Sequence, residues 1–231
     1  MQLTVGTWQI SVCRVQAGES DVARLYDRTA WYWDSPAHRI LFRRAYFELF
    51  ERLREEHALP AANPPVRVLD CGIGTGLLSE ALLRATASPC DLHGIDLSSR
   101  MLARARPRLQ RWSAGVHLRQ GDASALPFGD GEMDLVIGAL VLEHVRDPLR
   151  ALREMVRVLR PGGVVVVVVT RRSAPDKLSR ILYRYRPLPP ESLVRWMEGA
   201  GLHDIRSHGL IGRARRFACA YVGRKGPGGD E

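Results

Sequence analysis

A chain of 231 residues, 45% hydrophobic and 26% charged, has the makeup of one globular α/β domain with a decoration, long enough to bury a sizeable core. Its longest apolar run, 164–169, falls far short of the ~20 residues of a membrane-spanning helix, and residues 1–20 lack the basic start and apolar core of a signal peptide. Cys13, Cys71, Cys90 and Cys219 lie far apart with no CxxC pair, which predicts reduced thiols in a cytosol rather than disulfides or zinc. The net charge of +9 would suit a nucleic-acid or anionic-membrane partner, but only Lys177 and Lys225 are lysines. Arginine in place of lysine everywhere is also what GC-rich coding produces.

Residues 1–17 carry no readable pattern. Residues 21–56 are aromatic and amphipathic, with Tyr26, Trp31, Tyr32 and Trp33 followed by Ile40, Leu41, Tyr46, Phe47 and Phe50 among arginines. One or two helices are expected there, forming with the start of the chain a segment over 1–60 that caps a main domain over 61–231. Pro60, Pro64 and Pro65 form the linker. That domain opens with VRVLDCGIGTG, residues 66–76. Val66, Val68 and Leu69 read as a short buried strand, and glycines at every second position after Asp70 read as a loop that turns sharply and meets a ligand with its backbone. Leu77, Leu78, Ala81 and Leu82 then recur at helical spacing, so a helix N-terminus points at the same place. A dinucleotide site requires G-x-G-x-x-G. Here the spacing is D-x-G-x-G-x-G, and an acid ahead of the first glycine repels a pyrophosphate but not a cationic ligand. A nicotinamide oxidoreductase is thereby disfavoured.

The second strand is expected over 91–96, followed by a helix from about Ser98 that ends near Pro107. Asp96 closes that strand, where a carboxylate accepts hydrogen bonds from both hydroxyls of a ribose. The third strand, 116–119, ends in Gln120-Gly121-Asp122-Ala123, and the fourth spans 133–138. Asp147 and Pro148 read as the N-cap and first turn of a helix with Leu149, Leu152, Val156 and Leu159 on one face. Residues 160–163, RPGG, are expected to end that helix, and 164–169 to form a strand buried on both faces. A helix over 191–200 capped by Gly201 should follow. Residues 203–210 and 217–223 should then pair antiparallel, with 226–231 as a frayed tail. The segment 170–190 is an insertion in which Leu178, Ile181, Leu182 and Tyr185 share a face among arginines. It reads either as a lid over the substrate or as a basic amphipathic helix at an anionic membrane surface.

The glycine stretch resembles motif I of the class I S-adenosylmethionine (SAM)-dependent methyltransferases, and GDASALPF resembles their adenine-binding motif. LVIGALVLEHVRDPLRALREMVRVLRPGG is similar to the signature of the ubiquinone/menaquinone-biosynthesis-type enzymes. The resemblance covers roughly 66–169. It implies a three-layer, Rossmann-like sheet of seven mostly parallel strands with an antiparallel last strand, and an N-terminal helical cap. It implies SAM as cofactor and S-adenosylhomocysteine as product. Asp70, Gly72, Gly74 and Gly76 would form the cofactor loop, with Asp96 on the ribose and Leu97 on the adenine face. Asp122 would accept from the adenine amine and the Ala123 N–H would meet a ring nitrogen. Met101, Ala139 and Tyr26 (whose Tyr26-Asp27 pair is similar to the family's "YD" element) would complete the cofactor site.

On the substrate side the resemblance implies Trp31, Arg180, Tyr183 and Arg184. His144, just past the fourth strand, is the candidate base, with a packing role beneath the lid as the competing reading. No metal site is evident. The N/D-P-P-Y tetrapeptide, a Pro-Cys nucleophile in the right place and the lysine-rich ribose-methylation tetrad are missing, which argues against nucleic acid. The expected function is methyl transfer to a small, lipophilic or quinone-like molecule in the cytoplasm. The alternatives are a phospholipid or other anionic substrate at a membrane surface, with peripheral membrane contact but no transmembrane segment, and a non-catalytic SAM-binding protein.

Overall fold

The computed structural model describes residues 2–5, 8–11, 19–60, 65–86, 89–112, 115–171 and 187–227, with side chains from residue 24 onward. Most of the expected lid, including Arg180, Tyr183 and Arg184, lies outside the described residues. Near the N-terminus, β1 (Gln2–Val5) and β2 (Trp8–Ser11) pair antiparallel as a separate ribbon. Two helices follow, α1 (Glu19–Trp33) and α2 (Pro36–Glu55). They are divided at Ser35, whose hydroxyl caps α2 by accepting from the His38 N–H, with Pro36 in its first turn.

The main sheet has the strand order β5-β4-β3-β6-β7-β9-β8. Its members are β3 (Val66–Cys71), β4 (Cys90–Asp96), β5 (Val116–Gln120), β6 (Met133–Ala139), β7 (Leu159–Thr170), β8 (Leu202–Gly209) and β9 (Ala218–Lys225). All run parallel except β9, which lies antiparallel between β7 and β8. Strand β7 explains the three layers. Val164, Val166 and Val168 belong to one core with α2, α3 (Leu77–Thr86) and α4 (Ser99–Leu109). Val165, Val167 and Val169 belong to the other, with α5 (Pro148–Val158) and α6 (Pro190–Gly199). Side chains alternate across a strand, so an unbroken valine run is buried by helices on both faces.

Two boundaries differ from the sequence expectation. The α5 helix stops at Val158, and residues 160–163 form a bulged entrance to β7 rather than the helix end. Gly162 sits at φ +74, and Arg160 Nε donates to Asp134 Oδ1 at 2.5 Å across the bulge. Helix α4 runs through Pro107 to Leu109. The lost backbone bond is outweighed there because Leu109 is fully buried and Arg108 is nearly so. Among the described residues, no helix is long and apolar enough to cross a membrane.

Candidate functional site

The C-terminal ends of β3, β4, β5 and β6 meet along one edge of the sheet, beneath α1 and the start of α2. A cavity there is lined by Asp70, Gly72, Gly74, Asp96, Asp122 and Ala123, and also by Leu97, Met101 and Ala139. The topology thus gathers residues from 70 to 139 into one place. Tyr26 and His144 line the same cavity from the cap and from the loop after β6.

The three loop glycines have different work. All take positive φ, +65 at Gly72, +54 at Gly74 and +78 at Gly76, a region that side chains other than glycine's avoid. A Cβ on Gly72 would lie 2.6 Å from Val141 Cγ2, so this glycine lets the loop after β6 close on the loop after β3. A Cβ on Gly74 would meet nothing nearer than the Gly72 carbonyl at 3.9 Å, so it would stand in open space beside the cavity. Gly76 does not line the cavity. A Cβ there would come 3.0 Å from Leu109 Cδ1 and 3.3 Å from Ala105 Cβ, so its absence serves the packing of α3 on α4.

Asp96 is bound before any ligand arrives. Its Oδ2 accepts from the Gly74 N–H and its Oδ1 from the Ser98 N–H, each at 2.8 Å. The carboxylate therefore fixes the glycine loop while each oxygen keeps a lone pair for a hydroxyl. Burial, partly offset by these two bonds, raises its pKa to about 6. Asp70 lies deeper. Its Oδ2 accepts from Ser79 Oγ at 2.6 Å, and its buried Oδ1 has no hydrogen-bond partner among the described residues. Burial, reinforced by the neighbouring Asp96 charge, raises its pKa to about 7. An orphaned buried carboxylate oxygen beside a cavity is costly unless a donor or a cation meets it. Asp122 Oδ1 accepts from the Ser124 N–H at 2.8 Å, fixing the turn that presents Ala123.

The opposite wall is aromatic. Tyr26, Trp33, His38 and Tyr46 line it. Rings meet in sequence: Tyr26 with Trp33 at 6.0 Å, Trp33 with His38 at 5.1 Å, His38 with Phe42 at 4.8 Å and Phe42 with Tyr46 at 5.3 Å between centroids. His38, Phe42 and Tyr46 are spaced four apart on α2, which puts them on one helical face. His144 closes the wall, its ring edge-on to Tyr26 at 5.4 Å. Burial lowers the pKa of both histidines to about 4, assisted at His38 by the Arg108 charge. Both are neutral near pH 7. Helix α1 is held over the cavity from α4. Asp27 accepts from Ser98 Oγ at 2.5 Å, and Asp34 accepts from Arg104 at 3.3 Å and from Arg108.

The sequence reading missed Trp33, His38 and Tyr46, although the four-residue spacing of His38, Phe42 and Tyr46 was visible. It chose Trp31 instead, which is 65% exposed and lies off the cavity. Two positions along a helix turn a side chain to nearly the opposite face, and the run Trp31-Tyr32-Trp33 does not fix the phase. Glu143 was also not assigned. It is buried, its Oε1 accepts from the Thr170 N–H at the point where β7 leaves the sheet, and burial raises its pKa.

Comparisons with known proteins agree with this geometry. Residues 69–167 match the family described as a methyltransferase domain. The chain is 37% identical over 145 residues to a malonyl-[acyl-carrier protein] O-methyltransferase of Halorhodospira halophila, covering 63% of this chain and 46% of that one. It is 35% identical over 132 residues to the ubiquinone/menaquinone biosynthesis C-methyltransferase UbiE of Vibrio vulnificus, covering 55% of this chain and 51% of that one. The chain thus spans about half the length of these two relatives. Among solved structures, the cyclase SpnF superposes with a TM-score of 0.72 at 23% identity, covering 93% of this chain and 98% of that one. Residues 69–167 thus match a methyltransferase domain, and the fold they belong to is the Rossmann-like one shared with that solved structure.

Proposed function

We propose that this chain, built around a class I methyltransferase domain, transfers the methyl group of SAM to a small, apolar, quinone-like acceptor held under its aromatic cap. The observation that carries the reading is the grouping of Asp70, Asp96 and Asp122 with the glycine loop in one cavity whose far wall is Tyr26, Trp33, His38 and His144. The residues fit the cofactor. SAM bears an ammonium and a sulfonium, and the buried, unpartnered Oδ1 of Asp70 calls for a cation or a donor. Asp70 would hold the amino-acid end, Asp96 the ribose, and Asp122 with the Ala123 N–H the adenine, with Leu97 and Met101 against its ring.

SAM supplies a methyl group already activated on sulfur. What remains for the protein is alignment, which supplies part of the ~7–11 kcal/mol available from proximity. The aromatic wall offers flat apolar surface to an acceptor and keeps water out. The quinone-biosynthesis relative supports a lipophilic acceptor. The resemblance to a cyclase is the reason to test turnover separately from fold. His144 is the proposed proton acceptor for a protonated nucleophile. With a pKa near 4 it is available but weak, so it suits an acceptor that loses its proton readily.

Three measurements test the reading. At ~100 times its dissociation constant, SAM should stabilise the chain by about 2.7 kcal/mol, a melting shift of roughly 5–10 °C, whereas NAD should give none. Incubation with tritiated-methyl SAM and fractionated cell extract should then place label in the lipid-soluble fraction. Binding without label in any fraction would mean a non-catalytic SAM-binding protein, and label in protein or RNA would overturn the acceptor class. Once an acceptor is in hand, His144→Ala should lower kcat with SAM affinity unchanged. Equal losses in both would return this histidine to a packing role.

A further inference from the structure

Helix α2 has a second face. Its inward stripe of Phe42, Tyr46, Leu49 and Leu53 is buried against the domain. Its outward stripe over the first three turns carries Arg39, Ile40, Arg43, Arg44 and Phe47. With Arg84 from α3 these residues line a cleft of about 560 Å³ separate from the cavity described above. Ile40 stands 81% exposed among the guanidinium groups.

The charge here is unbalanced. The first turn of α2 has no acid, and the first three turns carry Arg39, Arg43 and Arg44, the reverse of what the helix dipole favours. The buried carboxylate of Glu80 is shared by Arg43 at 3.7 Å, Arg108 at 3.8 Å and Arg111 at 2.8 Å. Among the described residues Arg44 pairs only with the half-exposed Glu48, at 3.5 Å. Neither Arg39 nor Arg84 pairs with a carboxylate among the described residues. Arg84 lies over the rings of Phe47 and Trp112 instead, at 5.0 and 5.7 Å, which holds its guanidinium flat and ready on the cleft wall. A coding bias toward arginine accounts for the abundance of the charge. It does not account for an aliphatic side chain left in water at the centre of it, or for a concave surface beneath.

We propose that this cleft docks the acidic face of a partner protein, a helical segment whose carboxylates flank one apolar side chain. Residues 36–47 span about 16 Å along the helix at 1.5 Å per residue, room for some three turns of such a segment. Arginine's planar fork matches carboxylates in pairs, and Ile40 gives the apolar side chain a seat. A lipid surface is the poorer match, because a membrane receives a convex apolar face, and here one aliphatic residue sits by a hollow. The proposal stands apart from methyl transfer, since none of these residues lines the cofactor cavity.

The probe is a fluorescein-labelled, 14-residue helical peptide with glutamates flanking a single central leucine, titrated against the full chain by anisotropy. A second peptide carries glutamine in place of each glutamate. The acidic peptide should bind and the glutamine peptide should not, and binding should weaken as salt rises toward screening lengths of ~8–10 Å. Arg39→Glu with Arg84→Glu should weaken binding at least tenfold while the SAM-induced melting shift persists, which shows that the variant is folded. Ile40→Glu, at an exposed position where packing is untouched, should weaken it severalfold and keeps the test open if the double variant does not fold. Equal binding of both peptides, or full binding by the folded double variant or by Ile40→Glu, overturns the proposal. So does sedimentation with anionic vesicles that depends on Arg39 and Arg84 while the acidic peptide fails to compete.

Discussion

On one wall of the cavity, the groups that face a ligand are fixed by the backbone. Asp96 accepts from two main-chain N–H groups, Asp122 from a third, and the glycines of the loop after β3 adopt conformations set by φ alone. Among the described residues, the other wall is held mainly by side chains. Tyr26, Trp33, His38 and Tyr46 are held by one another's rings, and α1 stays in place through side-chain bonds from Asp27 and Asp34 to α4. The first arrangement suits a ligand that never changes, the second one that is exchanged for another by changing a few rings. If the contrast holds, damage to the two walls should separate cofactor affinity from acceptor handling.

The largest effect should come from Asp96→Ala. Hydrogen bonds to a charged group contribute ~1.5–3 kcal/mol each, so two lost ribose contacts imply at least a hundredfold weaker SAM binding, at tenfold per 1.4 kcal/mol. The loop amide of Gly74 is released as well, which adds to the loss. Calorimetric titration returning near-wild-type affinity would move the ribose elsewhere and dissolve the comparison.

A smaller effect follows from the raised carboxylates. SAM is a cation and is met best by ionised Asp70 and Asp96, whose pKa values lie near 7 and 6. SAM affinity should therefore fall at least tenfold between pH 7.5 and 5, and Asp70→Asn should flatten part of that dependence. The stability of the ligand-free chain carries the opposite sign. A carboxyl whose folded pKa lies above its unfolded value binds more protons when folded, so its destabilising contribution is relieved as pH falls from about 7 toward 4. Thermal melts across this window check it, and a contribution from Asp70 that grows more stabilising with rising pH would refute the buried, unsatisfied state of its Oδ1.

The smallest and sharpest test lies within the glycine loop. Both positions have positive φ, so each alanine is strained by ~1–2 kcal/mol. At Gly74 the added methyl stands beside the cavity, and Gly74→Ala should weaken SAM binding more than it lowers the melting temperature. At Gly76 it meets Leu109 and Ala105, and Gly76→Ala should lower the melting temperature with SAM affinity nearly kept. Identical patterns in the two variants would erase the distinction between a ligand-facing and a packing glycine.

The same contrast explains what could be read beforehand. Asp70, Asp96 and Asp122 are legible because each stands at or just past the C-terminal end of a strand, where ligands bind in open α/β sheets. Gly76 was grouped with the ligand loop because a sequence records φ-permissive residues without saying what stands above them. The aromatic wall was only half legible. A period of four reveals His38, Phe42 and Tyr46 as one face, but which face turns to the cavity depends on α2 docking against α3, an event far along the chain. Trp31 and Trp33 could not be told apart for the same reason. The RPGG segment reads as a helix stop, but the helix ends before it, and its glycines let the chain enter β7 through a bulge that only the partner β6 makes necessary.

Strand β7 has a consequence for how the protein is made. Its valine stretch pairs with β6 on one side, and its other side is covered by β9, the last strand of the sheet in chain order. During synthesis that open edge, rich in β-branched residues and free of charge from Val164 to Val169, has to wait for Ala218–Lys225 to leave the ribosome. Until then the nascent chain offers neighbouring copies a bare strand edge of the kind that nucleates aggregation. That edge closes only when β9 takes its place between β7 and β8.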